Sequence, residues 1–176
     1  MNSRSALLVM DVQQGVVDRF TGDHDYLERV ARAIEAARGA SVPVIYVRVA
    51  FRAGLPEVSP RNKAFSTIAT TNRVGFSEAD SATQIHEAVA PREGDVVVTK
   101  RRVSAFSGSD LDVILRAADI ETLVLAGIAT SGVVLSTVRE AADRDFRLAV
   151  LSDACLDADP EVHRVLTEQV FPGLPA

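Results

Sequence analysis

The chain has 176 residues, of which 47% are hydrophobic and 24% charged, and its formal net charge at pH 7 is −5. This length predicts one domain, residues 1–176, that is large enough to bury its own core. The negative charge excludes a general nucleic-acid binder, which needs a basic face, and the single cysteine excludes an intrachain disulfide framework.

Five short apolar runs predict β-strands. They lack the alternation of polar and apolar residues that marks half-exposed strands, which is typical of parallel strands covered on both faces. In chain order they are Ala6–Met10, Val42–Val49, Val96–Thr99, Thr122–Ala126 and Leu148–Leu151.

Amphipathic stretches between and after these runs predict helices. The first places Leu27, Val30 and Ile34 on one face, and the last begins after Asp159-Pro160, a good N-terminal signal. The predicted helices are Asp25–Arg38, Ser109–Ala118, Ser131–Arg144 and Glu161–Val170. This order of elements predicts an α/β fold of three layers, with helices on both faces of a parallel sheet.

The segment Ala50–Glu78 interrupts this alternation. It holds two prolines and two glycines and shows no clear period. A long excursion from the carboxyl end of a strand builds a binding site in some folds and packs as a surface loop in others. Both interpretations stay open from the sequence.

Polar residues stand where three of the predicted strands end. Asp11 follows the first strand, Lys100 ends the third, and the small-residue turn from Gly127 to Gly132 follows the fourth. In open parallel sheets, ligands bind beyond these carboxyl ends. A carboxylate and a lysine placed together can carry out acid/base chemistry, and a turn that opens a helix offers backbone N–H groups to an anion. Taken singly, each residue also fits a structural role as a loop cap or a solvated strand end.

The chain resembles the isochorismatase-like hydrolases, which include nicotinamidases and N-carbamoylsarcosine amidohydrolases. The resemblance covers nearly the whole chain, in the family's order and spacing. Its blocks are ALLVMDVQQGVV, VPVIYVRVAF, VVVTKRRVSAFSGSDL, TLVLAGIATSGVVLSTVREAADRDFRLAVLSDAC and the helix after Asp159-Pro160.

This resemblance implies a Rossmann-like α/β/α sandwich around a six-stranded parallel sheet. The first and the lysine-bearing strands would be adjacent, and a short edge strand would lie within Ala50–Glu78. It also implies a homodimer or a higher homo-oligomer.

The family's thiol hydrolases use an Asp-Lys-Cys triad, and the resemblance assigns the first two members to Asp11 and Lys100. The cysteine position, in the block GIATSGVVLST, holds Val133, which excludes covalent thioester chemistry at that position. The family's metal-using nicotinamidases carry a DxH pattern after the second strand, where this chain reads RVAFRAG, so no metal and no other cofactor is predicted.

The turn after the fourth strand matches the family's oxyanion or anion site. The resemblance implies a cis peptide bond between Ile128 and Ala129, and it assigns the site to Ile128, Ala129, Thr130 and Gly132. Cys155 lies elsewhere, after the fifth strand. A free cysteine is most often a small buried hydrophobe, and a catalytic role for Cys155 remains the minor alternative.

True isochorismatases also lack the cysteine, and this implies a mechanism for the present chain. Asp11 would donate a proton to the enol-ether carbon of a vinyl ether, water would add, and pyruvate would leave. Lys100 would position Asp11 and tune its charge. Burial raises the pKa of such an acid and the lysine lowers it, and the sequence leaves that balance open.

A dianionic substrate needs cations, and arginine forks suit carboxylates. The arginine candidates are Arg48, Arg52 and Arg102, with Arg61, Lys63 and Arg101 in the same region. Phe20 and Phe106 are candidates for apolar walls, although each fits the core equally well. Gln13 either hydrogen-bonds near the site or satisfies the loop backbone.

The predicted function is therefore the hydrolysis of a small anionic molecule by an Asp-Lys pair. A catalytically inactive, ligand-binding member of the same fold is the alternative, and tight binding without turnover would identify it. A phosphorylation-dependent receiver domain is disfavoured. Such a domain needs paired acids after its first strand, where this chain has only Asp11, and a phospho-acceptor Asp after its third strand, where this chain has Lys100.

The predicted partners are a small-molecule substrate and further copies of the chain, without nucleic acid or membrane. No apolar stretch approaches the roughly 18 residues that span a bilayer. The apolar run near the N-terminus is too short for a secretory signal, and with a single cysteine this makes the cytoplasm the expected location.

Overall fold

The computed structural model describes residues 4–20, 23–66 and 76–173. Within these ranges, five strands form a parallel sheet in the order β3-β2-β1-β4-β5. The strands are β1 (Ser5–Met10), β2 (Val44–Val49), β3 (Val96–Lys100), β4 (Thr122–Ile128) and β5 (Arg147–Leu156). The α-helices that lie wholly within the described ranges are α1 (Gln14–Val17), α2 (Tyr26–Gly39), α3 (Leu111–Ala117), α4 (Leu135–Ala142) and α5 (Pro160–Val165).

The predicted strands and helices are confirmed, with shifted ends. Two of the predicted helices are composite, since π-helical turns at Thr130–Val134 and Leu166–Val170 adjoin α4 and α5. The largest difference is β5, which extends to Leu156 because its pairing with β4 resumes after an irregularity. Ser152 and Asp153, which are exposed, lie at this irregularity. They interrupt the apolar run, so the sequence pattern predicts that the strand ends at Leu151.

The core has two layers, one on each face of the sheet. Along β1, Leu8 and Met10 point into one cluster with α3 and α4, while Leu7 and Val9 point into the other with α2. These four side chains are at most 1% exposed. Because both faces of the central strand are buried, the near-continuous apolar runs and the three-layer architecture are confirmed.

Two features that the resemblance implies differ in the structure. The described ranges hold five strands rather than six. Within the described part of Ala50–Glu78 the structure shows no strand: Phe51 and Ser77 form an isolated bridge, and residues 63–66 are helical. Residues 67–75 lie outside the described residues. The expected adjacency of β1 and β3 is wrong, because β2 pairs with both of them and lies between them.

The described part of the excursion packs against the rest of the fold. Phe51 is fully buried and Phe65 is 7% exposed, and their rings meet edge to face with centroids 5.5 Å apart. None of the helices in the described ranges is long and apolar enough to cross a membrane.

Candidate active site

Asp11 and Lys100 meet at the carboxyl edge of the sheet. The Lys100 Nζ lies 2.9 Å from Asp11 Oδ2, and their side chains are 2% and 10% exposed. The Asp11 N–H donates to the Val47 carbonyl of β2, which fixes the end of β1. The long lysine side chain spans the end of β2, so the pair forms although β1 and β3 are not adjacent.

Burial has a larger effect on the pKa of Asp11 than Lys100 has, a balance that the sequence leaves open. Desolvation raises the pKa of the Asp11 carboxyl above its ordinary value, while the charge and hydrogen bond of Lys100 oppose this only in part. The second oxygen, Oδ1, is buried and has no hydrogen-bond partner among the described residues. Such a carboxyl is suited to hold a proton and to deliver it.

Gly127, next to the last residue of β4, occupies a position where only glycine fits and leads into the turn after β4. Its φ is 153°, and a Cβ there would lie 2.2 Å from the carbonyl oxygen of Met10, the last residue of β1. The following peptide bond, between Ile128 and Ala129, is cis. The turn is therefore built directly against the residue that precedes Asp11.

The N–H groups of this turn are partly used inside the protein. Gly132 N–H donates to the carbonyl of Ala129 at 3.0 Å, and Ser131 N–H donates to Asp157 Oδ2 at 2.6 Å. The Gly132 N–H, which belongs to the predicted anion site, therefore already has an acceptor within the turn. Thr130 is fully buried, and its Oγ1 lies 2.8 Å from His163 Nδ1.

Val133 belongs to the apolar core. It is 2% exposed and lies in the cluster that contains Met10 and Ala105. Its side chain has no group that accepts or donates a proton or attacks a carbonyl carbon.

Cys155, the one cysteine of the chain, is sequestered. Its side chain is 3% exposed, and Sγ lies 3.9 Å from the Leu125 carbonyl oxygen. Burial raises the pKa of this thiol to about 12. Because the thiolate is the nucleophile, Cys155 is not available for thiol catalysis near neutral pH.

We therefore expect Cys155→Ala to leave kcat unchanged and to lower the free energy of unfolding by about 1 kcal/mol, since it removes one buried heavy atom. The measurements are steady-state turnover and urea unfolding. In the wild type, iodoacetamide should label the thiol only after unfolding. Loss of turnover in a folded Cys155→Ala variant would contradict this assignment.

The predicted arginines differ in their surroundings. Arg48 donates to Thr99 Oγ1 at 3.1 Å and to Gln84 Oε1 at 2.8 Å, and exposed Arg52 pairs with Glu57 at 2.5 Å. These internal partners explain both residues without a substrate. Arg101, another cation of this region, is likewise occupied by carboxylates and a backbone carbonyl.

Arg102 has only backbone partners. Its guanidinium donates to the carbonyls of Arg101 at 2.6 Å and Glu57 at 3.1 Å. Like Arg48, which donates to neutral side chains, it has no ion pair with a carboxylate in the described parts of the chain. The Lys100 Nζ also donates to the Arg102 carbonyl at 3.0 Å, so the two cationic residues are coupled through the backbone.

Gln13 and Phe106 are structural. The Gln13 amide donates to the carbonyls of Val49 and Thr83 and accepts from the Val49 N–H, so all of its strong groups are used by the backbone. Phe106 is 5% exposed and stacks on Phe146 with ring centroids 5.9 Å apart. Of the two interpretations that the sequence leaves open for each residue, these contacts favour the structural one.

Phe20 is half-buried and lines a cavity of about 970 Å³ at the carboxyl end of β5. Cys155, Asp157 and His163 also line this cavity, whereas Asp11 and Lys100 do not. The structure therefore does not bring Phe20 together with the acid–lysine pair.

Sequence reasoning missed Asp157 and His163, which contact the turn after β4. Their hydrogen bonds to Ser131 and Thr130 join positions 26 and 33 residues apart. The only signal in the sequence is the helix start at Asp159-Pro160, which places His163 on α5, three residues after Pro160.

Comparisons with known proteins agree with this architecture. The family model of the isochorismatase domain matches residues 5–174 of the chain. The chain is 35% identical to ureidoacrylate amidohydrolase RutB of Methylobacterium radiotolerans, over 90% of the chain and 69% of that protein. It is 32% identical to the uncharacterized isochorismatase family protein YecD of Escherichia coli O157:H7, over 97% of the chain and 89% of that protein.

Solved structures show the same fold. An isochorismatase family protein from Burkholderia thailandensis superposes with a TM-score of 0.83 at 30% identity, covering 99% of this chain and 90% of that one. A cysteine hydrolase from Pseudomonas syringae pv. phaseolicola superposes with a TM-score of 0.86 at 25% identity, covering 97% and 86%.

Proposed function

The chain belongs to the isochorismatase family and is a hydrolase, and from this premise we propose that Asp11 and Lys100 hydrolyse a small anionic substrate without a thiol nucleophile or a metal ion. The observation that carries the proposal is the buried pair itself. Asp11 has a raised pKa, one oxygen held by Lys100 and a second oxygen without a partner among the described residues. The sequestered thiol of Cys155 supports a reaction that needs no covalent intermediate.

Vinyl ether hydrolysis of the isochorismate type is the reaction that this arrangement supports best. Asp11 donates its proton to the terminal alkene carbon, and the ether oxygen shares the resulting positive charge. Water adds to the cationic carbon and returns a proton to the Asp11 carboxylate. The hemiketal then breaks its ether C–O bond, which releases pyruvate and an alcohol and consumes one water molecule. Lys100 stabilises the carboxylate while it lacks the proton.

Ureidoacrylate hydrolysis is a second candidate, favoured by the relative that is named for that reaction. Without a thiolate, Asp11 would act as a base and activate water for attack on the ureido carbonyl. This role needs the ionised carboxylate, whereas vinyl ether protonation needs the acid. Turnover limited by the base would rise with pH through the Asp11 pKa, and turnover limited by the acid would fall.

The test is to offer isochorismate and ureidoacrylate to the wild type and to Asp11→Asn. Pyruvate release by the wild type alone supports the acid mechanism, and cleavage of ureidoacrylate alone supports the base mechanism. Equal turnover by the two proteins refutes the role of Asp11. Binding of either compound without turnover identifies an inactive ligand-binding member of the family.

We expect Arg102 to bind a substrate carboxylate. Arg102→Ala should raise KM by about 10- to 100-fold with little change in kcat, since a charge-assisted hydrogen bond contributes about 1.5–3 kcal/mol. The carbonyl of residue 102 that holds Lys100 is kept by this substitution. The measurement is steady-state kinetics on the active substrate. Arg32→Ala, which removes an exposed arginine of α2, is the matched control, and an unchanged KM in Arg102→Ala would contradict the assignment.

A further inference from the structure

The segment that follows β5 holds the turn after β4 at two consecutive residues. Asp157 accepts the Ser131 N–H, and the His163 ring lies within hydrogen-bond distance of the Thr130 hydroxyl. Both contacts are long-range in the chain, so they do not follow from the local structure of the turn. They attach the turn to a separate element of the fold.

The His163 ring is well placed to fix the Thr130 side chain. Thr130 is fully buried. Leaving a buried hydroxyl without a hydrogen-bond partner costs about 1–3 kcal/mol. The Thr130 side chain is therefore held in the rotamer that keeps its contact with His163. The helix that carries His163 has a defined start, since Asp159 Oδ1 accepts the Glu161 N–H at 2.9 Å and Pro160 occupies the first turn. The backbone N–H of His163 donates to the Asp159 carbonyl at 3.1 Å.

The hydrogen bond is compatible with either neutral tautomer of the ring. Thr130 Oγ1 donates when His163 Nδ1 is unprotonated and accepts when Nδ1 carries the hydrogen. The contact can therefore form with either tautomer, so its main effect is to hold the Thr130 side chain in place.

We propose that His163 is a positioning residue of the hydrolase, which acts through Thr130 on the turn after β4 and does not touch the substrate. The proposal rests on the proposed function and adds to it that the turn after β4, which packs against Met10 next to Asp11, faces the reacting anion. A backbone donor stabilises developing charge only when it is held in place beforehand, and removing one donor of this kind costs about 10²–10³-fold in kcat. Displacing the turn without removing a donor costs less.

The kinetic test compares His163→Ala, His163→Asn and Thr130→Val. We expect His163→Ala and Thr130→Val each to lower kcat by about tenfold, the equivalent of one hydrogen bond, with KM unchanged. His163→Asn places a polar atom near the position of Nδ1 and should recover most of kcat. The double variant Thr130→Val/His163→Ala should be no slower than the slower single variant, because both remove the same contact.

The matched control is Arg164→Ala. Arg164 lies on α5 beside His163, but it pairs with Glu161 and Glu168 on the exposed side of the helix. This variant should keep the wild-type kcat although it perturbs the same helix. Wild-type kcat in His163→Ala, or losses that multiply in the double variant, would overturn the proposal.

Amide hydrogen exchange gives a readout that needs no substrate. The N–H groups of residues 131–134 should exchange about tenfold faster in His163→Ala, because the turn opens more readily, and at the wild-type rate in Arg164→Ala. If the wild type is active and exchange in His163→Ala is unchanged, the positioning role of His163 is refuted but the proposed function is not. Faster exchange in a protein that hydrolyses neither isochorismate nor ureidoacrylate refutes the proposed function, and with it the positioning role in catalysis, but shows that His163 still holds the turn.

Discussion

Asp11→Asn should lower kcat by about 10²–10⁴-fold, the contribution of a side chain that transfers a proton in the transition state. The amide of asparagine has nearly the shape of the carboxyl, so the substitution removes the proton transfer and little else. Stopped or continuous assay of product release from the active substrate measures the effect. A folded variant that retains wild-type kcat would exclude Asp11 as the acid or base.

The buried lysine complicates this experiment, and the chain offers a control. In Asp11→Asn, Lys100 stays buried without a counter-charge, which destabilises the fold. The double variant Asp11→Asn/Lys100→Met removes both charges and should fold well. It should be as inactive as Asp11→Asn, so loss of activity in both variants cannot be attributed to unfolding.

The second large effect concerns stability. Lys100→Met should lower the free energy of unfolding by about 3–5 kcal/mol, because it leaves the Asp11 carboxylate buried and unpaired, and the double variant should recover most of that loss. Urea unfolding at neutral pH measures both. The matched control is Arg147→Met, which breaks an exposed pair with Glu121 and should cost at most about 1 kcal/mol. Equal costs at the two sites would contradict the electrostatic assignment of the buried pair.

The dependence on pH follows from the direction of the Asp11 shift. Its pKa is raised in the folded state, so folding favours the protonated carboxyl. The resulting stability is fully present below the ordinary pKa of aspartate and is lost as pH rises through the folded value. Lys100→Met removes the positive charge that opposes the rise in the Asp11 pKa, so the loss of stability with rising pH should be larger in this variant. The double variant Asp11→Asn/Lys100→Met has no carboxyl at position 11 and should not show this loss. Unfolding curves at a series of pH values measure the difference.

The positions of Asp11 and Lys100 could be predicted because strand ends are visible in the sequence. An apolar run shows where each strand stops, and parallel strands bring their carboxyl ends to one edge. The position of the small-residue turn from Gly127 to Gly132 could be predicted for the same reason. The order of strands could not, since residue patterns do not record which strands are neighbours, and the adjacency of β1 and β3 was wrongly implied.

The roles of the other polar residues depend on partners that are distant in the chain. Arg48 is occupied by Gln84, and the amide of Gln13 by backbone groups of β2 and Thr83. His163 meets Thr130 only because β5 and α5 return the chain to the turn. No local pattern distinguishes an arginine held by side chains from one held only by backbone carbonyls, so the sequence names Arg48, Arg52 and Arg102 alike and the structure favours Arg102 among them.

The strand order has a consequence for the synthesis of the protein. β1 is made first yet lies in the middle of the sheet, with β2 on one side and β4 on the other. A chain that emerges from the ribosome can pair β1 with β2 early, but the opposite edge of β1 stays open until residues 122–128 have been made. At the usual pace of synthesis this lasts for seconds, during which an apolar strand edge is exposed to other chains. The edge of β1 that carries Met10, the residue before Asp11, therefore becomes paired only after β4 has been made, so the site is completed late in synthesis.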